Sequence, residues 1–476
     1  MIPAAIVAYL IFLAAVGLWT TRRNRGPSDF YLAGRRLGLL TTVLATMSSI
    51  MSGFVFVGGP GLFYAVGLGS FWIVISASFT GAMMCWLLAR PLHRMAAEAG
   101  CLTIPDVILA RYGCRVSSGF AAVAILLGVV GYLATQLMAM GVILATVLDT
   151  SIWVGILAGT LVLALYTTAG GMVAAIYTDV VQGAVMLIAT SLIFAFAVGT
   201  GGGVHDISAT IQSELPEVLG PWGLAGPVTC LAWFFLFAVG SLGQPHVAHK
   251  MMMVRDLKAL RHFPWILAVS MIACSLVWLG VGSSVKSLVL GGTLAPLAHP
   301  DEAVTVFLER FAPEWLKALA YAGIVSAIMS TGDSFANVGA AVLARDVHRS
   351  LGRQPRDTVA YGRLFSIVLF GLALIFANSV KGLVAYAGIL GFGLFAAALT
   401  PLLAIGLNWP RATAASARAS LLVGTISAIT GETVSRLGYY QLAIPPACLA
   451  LVLSLIAFLV VGLGRKRHSD CTLPAL

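Results

Sequence analysis

The sequence predicts an all-α protein that crosses a membrane about 13 times, and two observations support this fold class. Apolar stretches of roughly 18–28 residues alternate with short connections, and each stretch is long enough to cross a hydrocarbon core. The 28 Lys and Arg residues are also sorted between the connections, because all but five of them fall in alternate ones. Since basic residues stay cytoplasmic during insertion, we expect a multi-pass protein of the cell inner membrane, with its N-terminus outside and its C-terminus cytoplasmic.

The apolar stretches give the predicted elements in chain order. They are 2–19, 38–65, 69–90, 117–147, 151–168, 176–199, 225–247, 262–285, 316–342, 363–379, 381–406, 417–436 and 440–463. The first has no basic segment before it and no small-residue cleavage pattern after it, so we interpret it as an uncleaved span. No connection is long enough for a soluble domain, and residues 1–476 are therefore predicted to form a single transmembrane domain.

Composition excludes several other classes of protein. The chain is 59% hydrophobic and 10% charged, whereas soluble domains have about 25% charged residues. The net charge of +10 is divided among separate connections and forms no continuous stripe for a phosphate backbone, so we expect no nucleic-acid binding. The seven Cys residues are scattered without any C-x-x-C pair, which argues against a disulfide framework or a metal cluster. Nothing in the sequence indicates an obligate protein partner beyond the lipid bilayer.

Two spans contain residues that continuous helices avoid. The span 38–65 carries Ser48–Gly53 and then Gly58–Gly61, and the span 225–247 carries Gly240–His246. Proline removes an amide donor and glycine eases unwinding, so backbone groups become free where such residues cluster. The two spans run in opposite directions, and the first is expected to be broken in its outer half and the second in its inner half.

That relation predicts an inverted five-helix repeat with broken helices, an APC/LeuT-like architecture with a binding site at the midplane. The repeats would be 38–199 and 225–406, followed by two additional helices in 417–463. The alternative is that Gly and Pro occur here only because they are common in membrane helices.

Two acidic residues, Asp179 and Asp333, fall clearly inside predicted spans. Each costs roughly 2.5–3.5 kcal/mol at a helix centre on insertion scales, so each needs a partner. No Lys or Arg is predicted at similar depth, and we therefore expect a cation, a water or a hydroxyl as the partner and not a buried ion pair. For Asp179 the alternative is a capping residue that reaches the inner interface.

Around Asp333, four small or hydroxyl residues share one helix face. They are Ala327, Ser330, Thr331 and Ser334. Hydroxyl oxygens together with carbonyls freed at a helix break suit a monovalent cation better than calcium, which usually recruits carboxylates. The alternative is helix packing, because Ser, Thr and Gly are enriched where membrane helices meet.

Several motifs resemble the sodium:solute symporter family, which includes proline, pantothenate and sodium–glucose cotransporters. The resemblance extends from Asp29–Arg36 to about Trp409–Arg411. Its most specific pieces are Tyr166–Gly171, Thr178–Gln182, Gly243–His246 and Ser326–Thr331. The resemblance implies a carrier that takes up a small organic solute with sodium, which would be co-transported and not a resident cofactor.

The resemblance also implies a set of sodium ligands. By position these are the carbonyls of Ser48, Met51 and Ala327 and the hydroxyls of Ser330 and Thr331. Asp179 matches an acidic residue on the path by which sodium leaves toward the cytoplasm. The proline carriers have an Asp just before the Met51 position, where this chain has Ile50.

The solute site is expected at the two breaks and on the span 117–147. Its candidate residues are Ser49, Ser52, Gly53, Phe54, Tyr132, Gln136, Phe237, Ser241 and Gln244. Compared with the proline carriers, the residues at 54, 237 and 241 differ, which argues against proline as the solute. An aromatic pocket with a few polar groups suits a small amphipathic solute, and backbone amides at the first break could hold a carboxylate.

The sequence therefore predicts sodium-coupled symport of a small organic solute by alternating access. A proton-coupled or uncoupled carrier on the same fold is the alternative, followed by a membrane sensor of the same solute. An enzyme is not expected, because Asp179 and Asp333 supply neither an activated nucleophile nor a metal-ligand set.

Overall fold

A computed structural model of the chain describes residues 2–21, 32, 37–355, 358–379, 383–440 and 442–464. Within these residues the regular structure is helical, apart from one isolated β-bridge between Leu37 and Val254. Of the motif Asp29–Arg36, only Leu32 is among the described residues.

The α-helices of more than three residues are numbered here in chain order. They are α1 (Ile2–Thr21), α2 (Leu39–Ile50), α3 (Gly59–Val66), α4 (Trp72–Met83), α5 (Arg90–Glu98), α6 (Ile104–Tyr112), α7 (Arg115–Val147), α8 (Ile152–Thr200), α9 (Gly203–Glu214), α10 (Pro227–Gly240), α11 (Pro245–Met252), α12 (Phe263–Leu290), α13 (Ala303–Phe311), α14 (Glu314–Ala341), α15 (Val359–Ser379), α16 (Val384–Thr400), α17 (Ala414–Arg436) and α18 (Pro446–Gly464). Every predicted span coincides with one or more of these helices.

The protein is a multi-pass membrane protein. Seven helical stretches of the described residues are long and apolar enough to cross a membrane alone, and the bent pair of α10 and α11 gives an eighth. Large apolar side chains on the outside of the bundle are more than half exposed, as a lipid-facing surface requires; they include Ile11, Leu161, Ile188, Val269, Ile375 and Val460. The total of 13 spans and the inverted repeat stay predictions.

One predicted connection is helical. The spans 151–168 and 176–199 were expected to be separated by a loop, but α8 continues through both. At about 1.5 Å per residue, a helix of 49 residues is about two and a half times as long as the hydrocarbon core is thick. Two apolar parts of α8, Ile152–Thr168 and the stretch from Ala174 to Thr200, therefore correspond to the two predicted spans.

Both predicted breaks are present near the middle of their spans. Helix α2 ends at Ile50, Met51 has an extended backbone, and a π-helical turn, Phe54–Gly58, leads into α3. Helix α10 ends in a 3-10 turn, Ser241–Gly243, and Gln244 is extended before α11 begins. The axes of this second pair differ by 45°.

The second glycine-rich stretch, Gly58–Gly61, is not a break, contrary to the prediction. Pro60 lies in the first turn of α3, directly after the π-helical turn Phe54–Gly58, and the backbone stays helical through it. The glycines allow close packing: a Cβ on Gly58 would lie 2.8 Å from the Ala385 amide nitrogen, and one on Gly59 would lie 2.5 Å from the Trp278 ring. These contacts bring α16 and α12 directly against the start of α3.

Candidate functional site

The predicted cation ligands converge where α2 ends against α14. The Thr331 hydroxyl donates to the Ser49 carbonyl over 3.1 Å, and the Ser330 hydroxyl lies 3.1 Å from the Ser48 hydroxyl. All four residues are fully buried. The Ser49 carbonyl is free to accept this bond because the Gly53 amide, four residues on, donates to the Gln136 side chain instead. The helix break therefore supplies backbone oxygen directly opposite the hydroxyl pair.

The other two predicted cation ligands belong to the same two segments. Met51 lies at the break and is 2% exposed, and Ala327 lies one turn before Thr331 on α14 and is fully buried. The contacts thus bring Ser48, Ser330 and Thr331 together directly, while Met51 and Ala327 flank them along the chain.

The partner of Asp179 differs from the prediction. Its Oδ2 accepts a hydrogen bond from the Lys250 ammonium over 2.9 Å, and both side chains are almost completely buried. The expectation that Asp179 has no buried ion pair is therefore wrong. Lys250 was assigned to the connection after 247, but α11 continues to Met252 and directs this side chain into the bundle.

Asp179 also contacts the hydroxyl pair. The Ser330 hydroxyl donates to Asp179 Oδ1 over 2.7 Å, while Oδ2 receives the ammonium. The Lys250 ammonium donates a further hydrogen bond to the Ala45 carbonyl on α2. One carboxylate thus connects a candidate cation ligand on α14 with a fixed positive charge on α11.

The second acidic residue, Asp333, lies one turn beyond Ser330 on α14. It is 3% exposed, and its Oδ1 accepts a hydrogen bond from the Asn337 amide over 2.7 Å. It borders a separate crevice of about 340 Å³ formed by α1, α8 and α14. The side-chain amide of Asn337 is thus a partner of Asp333 that the sequence pattern did not indicate.

A small cavity lies between the two broken helices. It has a volume of about 60 Å³ and borders α4, α7, α12 and α16 as well. Five predicted solute residues line it: Phe54, Tyr132, Phe237, Ser241 and Gln244. The lining residues that were not predicted include Ser76, Thr80, Met84, Met271, Ser275, Trp278 and Phe392.

The remaining predicted solute residues lie behind the cavity wall. The Ser52 and Tyr132 hydroxyls are 3.3 Å apart, and the Gly53 amide donates to Gln136 Oε1 over 3.0 Å. Ser49 donates to a carbonyl of its own helix. The Phe54 amide donates to the Ser52 hydroxyl over 3.2 Å, so the amides expected to hold a carboxylate already have internal acceptors.

Aromatic rings form one wall of the cavity. Phe237 stacks on Phe54 with ring centroids 5.6 Å apart and on Phe392 with centroids 4.3 Å apart. Trp278 meets Phe54 edge-on and donates from its indole to the Ser70 hydroxyl. Each ring belongs to a different helical segment, so the stack joins both broken helices to α16 and α12. The sequence indicated Phe54 and Phe237 but not their partners, which come from distant spans.

The two ends of the site are tied by contacts outside the cavity. The amide of Arg255 donates to the Leu37 carbonyl, which joins the segment before α2 to the segment after α11. At the opposite end, Asp301 accepts a hydrogen bond from the Val384 amide at the start of α16 over 2.7 Å. Burial raises the pKa of Asp301 to about 6, although the Val384 amide lowers it.

Comparison with known proteins gives a consistent result. Residues 30–424 match the sodium:solute symporter family. The chain is 27% identical to the osmoregulated proline transporter of Bacillus subtilis, with 98% of this chain and 95% of that protein covered. It is 26% identical to the sodium/pantothenate symporter of Escherichia coli over 96% of this chain and 95% of the relative.

Two solved structures are similar in fold. A Na⁺-coupled sialic acid symporter matches with a TM-score of 0.80 at 19% identity, covering 98% of both chains. Mhp1, a nucleobase-cation-symport-1 family transporter, matches with a TM-score of 0.60 at 13% identity, covering 94% of this chain and 98% of the other. At such identities the likeness concerns the fold alone.

Proposed function

Because this chain belongs to the sodium:solute symporter family, we propose that it takes up a small organic solute across the cell inner membrane by sodium-coupled alternating access. The family consists of transporters and not enzymes, and sodium is the co-transported ion. We place the N-terminus outside and the C-terminus in the cytoplasm, as the distribution of basic residues predicts.

The observation that carries the proposal is the buried oxygen cluster between α2 and α14. Sodium would be coordinated by the Ser330 and Thr331 hydroxyls and by carbonyls of the broken segment. The Thr331 oxygen would offer a lone pair to the cation while its proton stays on the Ser49 carbonyl. Cation binding would therefore leave no polar group unpaired at this contact.

Sodium binding at this cluster couples two helices that must separate during transport. Ser48 and Met51 lie on the broken helix, whereas Ser330 and Thr331 lie on α14, so one cation holds both. The Asp179 carboxylate accepts a hydrogen bond from Ser330 and so lies directly beside a proposed sodium ligand. This contact supports its proposed role on the path by which sodium leaves toward the cytoplasm.

The solute is a small amphipathic molecule bound beside Phe54 and Phe237. The relatives are named for proline and pantothenate and the structural neighbour for sialic acid, all of which carry a carboxylate. A solute carboxylate would replace Gln136 Oε1 and the Ser52 hydroxyl as acceptors of the Gly53 and Phe54 amides. Proline itself remains disfavoured, because the residues at 54, 237 and 241 differ from those of the proline carriers.

The test is uptake into proteoliposomes from a panel of radiolabelled small carboxylates that includes pantothenate, sialic acid and proline. An inward sodium gradient should drive accumulation of at least one of them, and a proton gradient without sodium should not. Equal accumulation under a proton gradient with sodium absent would favour the proton-coupled alternative. Uptake that stops at equal inside and outside concentrations even with an inward sodium gradient would indicate an uncoupled carrier.

A further inference from the structure

The Lys250 ammonium lies beside the Asp179 carboxylate, in the position where a bound cation would otherwise compensate its charge. The ammonium donates to Asp179 Oδ2 over 2.9 Å and to the Ala45 carbonyl, and the side chain is only 3% exposed. A buried carboxylate requires a compensating positive charge, and either a bound metal ion or an ammonium can provide it. Here the compensating charge belongs to the protein.

This positive charge is one carboxylate away from the proposed sodium ligands. Asp179 binds the ammonium with one oxygen and the Ser330 hydroxyl with the other. Among the described residues, the buried charged groups around the hydroxyl cluster are Asp179, Asp333 and Lys250. The Asp179–Lys250 pair is formally neutral, so Asp179 has no unpaired negative charge for a second sodium ion to compensate.

We propose that the Lys250 ammonium acts as a tethered cation that compensates Asp179, so that the carrier binds one sodium ion and not two. The inference rests on the proposed function, since it concerns the same sodium-coupled cycle. It assigns Lys250 a positioning role: the residue fixes Asp179 and sets the number of sodium ions without itself coordinating sodium.

The first experiment counts sodium ions. Equilibrium binding of sodium-22 to the purified full-length carrier should saturate at one ion per molecule. In Lys250→Met, the uncompensated Asp179 should take a second ion, and binding should saturate at two ions per molecule. In Lys250→Arg, the count should stay at one because the positive charge is kept. Lys258→Met removes a basic residue that is exposed on the same side and serves as the matched control.

A charge rescue separates this role from a structural one. Asp179→Asn leaves the ammonium without its carboxylate, so its repulsion should weaken sodium-22 binding by at least tenfold. Adding Lys250→Met to Asp179→Asn removes that repulsion and should restore the affinity to within about threefold of wild type. A residue needed only for folding would show further loss in the double variant and not recovery.

The outcomes distinguish this inference from the proposed function. No sodium-22 binding by the folded wild-type carrier would refute sodium coupling itself. Two bound ions in the wild type, an unchanged count in Lys250→Met, or a double variant no better than Asp179→Asn would overturn the role of Lys250 while leaving sodium coupling intact. If Lys250→Met alone does not fold, the wild-type count and the charge rescue still decide.

Discussion

Replacing both Ser330 and Thr331 by Ala should raise the sodium concentration for half-maximal binding by well over tenfold. Hydrogen bonds and contacts to charged groups contribute roughly 1.5–3 kcal/mol each, and 1.4 kcal/mol corresponds to a factor of ten. Two lost hydroxyl ligands therefore allow a change of about 100-fold or more even when their contributions are only partly additive. The wild-type hydroxyls also donate to Asp179 and to the Ser49 carbonyl, so we expect a modest loss of thermal stability as well.

The assay for this double variant is sodium-22 binding to detergent-purified protein, with circular dichroism to show that the helices are retained. The matched control removes another buried pair of hydroxyls, Ser420 and Ser454, which lie 2.8 Å apart between α17 and α18. That control should lose stability but keep the sodium affinity. An unchanged sodium affinity in a folded Ser330→Ala, Thr331→Ala variant would refute the assignment and place the cation elsewhere.

Three further predictions concern the path, the packing and the outer contact. Asp179→Asn should slow uptake per inserted molecule while solute binding at saturating sodium stays within a few-fold of wild type; normal uptake would end its role on the ion path. Gly59→Ala should lower the thermal midpoint, because overpacking against Trp278 typically costs about 1–3 kcal/mol, whereas Gly371→Ala meets no neighbour and should not. Lowering the outside pH from about 7 to about 5 should favour docking of the loop that carries Asp301 by roughly tenfold, because a carboxyl titrating near 6 when docked and near 4 in water binds its proton more tightly when docked. Hydrogen exchange of that loop, corrected for its intrinsic pH dependence, should show this slowing in wild type and lose it in Asp301→Asn.

The hydroxyl cluster could be predicted from sequence because its residues carry local signals. Ser330 and Thr331 lie on one face of a long apolar helix, and Ser48 precedes a cluster of small residues that ends a helix. Each signal lies within about one or two helical turns of sequence and can therefore be recognised without the structure. The structure then brings the two segments into contact. The motif that favoured a break at Gly58–Gly61 was misleading because glycine has two uses. Glycine eases the unwinding of a helix, but it also allows neighbouring helices to pack closely. Which of the two applies depends on the residues that pack against it, and these come from distant parts of the sequence.

Lys250 was missed for a different reason. The rule that places basic residues in cytoplasmic connections considers only where each Lys lies along the chain. Because Lys250 comes shortly after an apolar span, the rule assigned it to a connection. The helical periodicity of α11 does indicate the direction of Lys250, because His246 and Lys250 are four residues apart and share a face. The His246 ring packs against Phe335 of α14, with ring centroids 4.1 Å apart and the rings tilted by 52°, so that face points into the bundle.

The position of the cation site explains how sodium and solute can be coupled through one helix break. The break after Ile50 exposes the Ser49 carbonyl on one side, where the Thr331 hydroxyl binds it. On the other side it frees the Gly53 amide, which Gln136 accepts. A sodium ion on the proposed carbonyl ligands Ser48 and Met51 would restrict the same few backbone torsions that orient the Gly53 amide. On the proposed assignment, sodium would lower the entropic cost of ordering the solute-binding groups, and by linkage the solute would tighten sodium binding by the same factor.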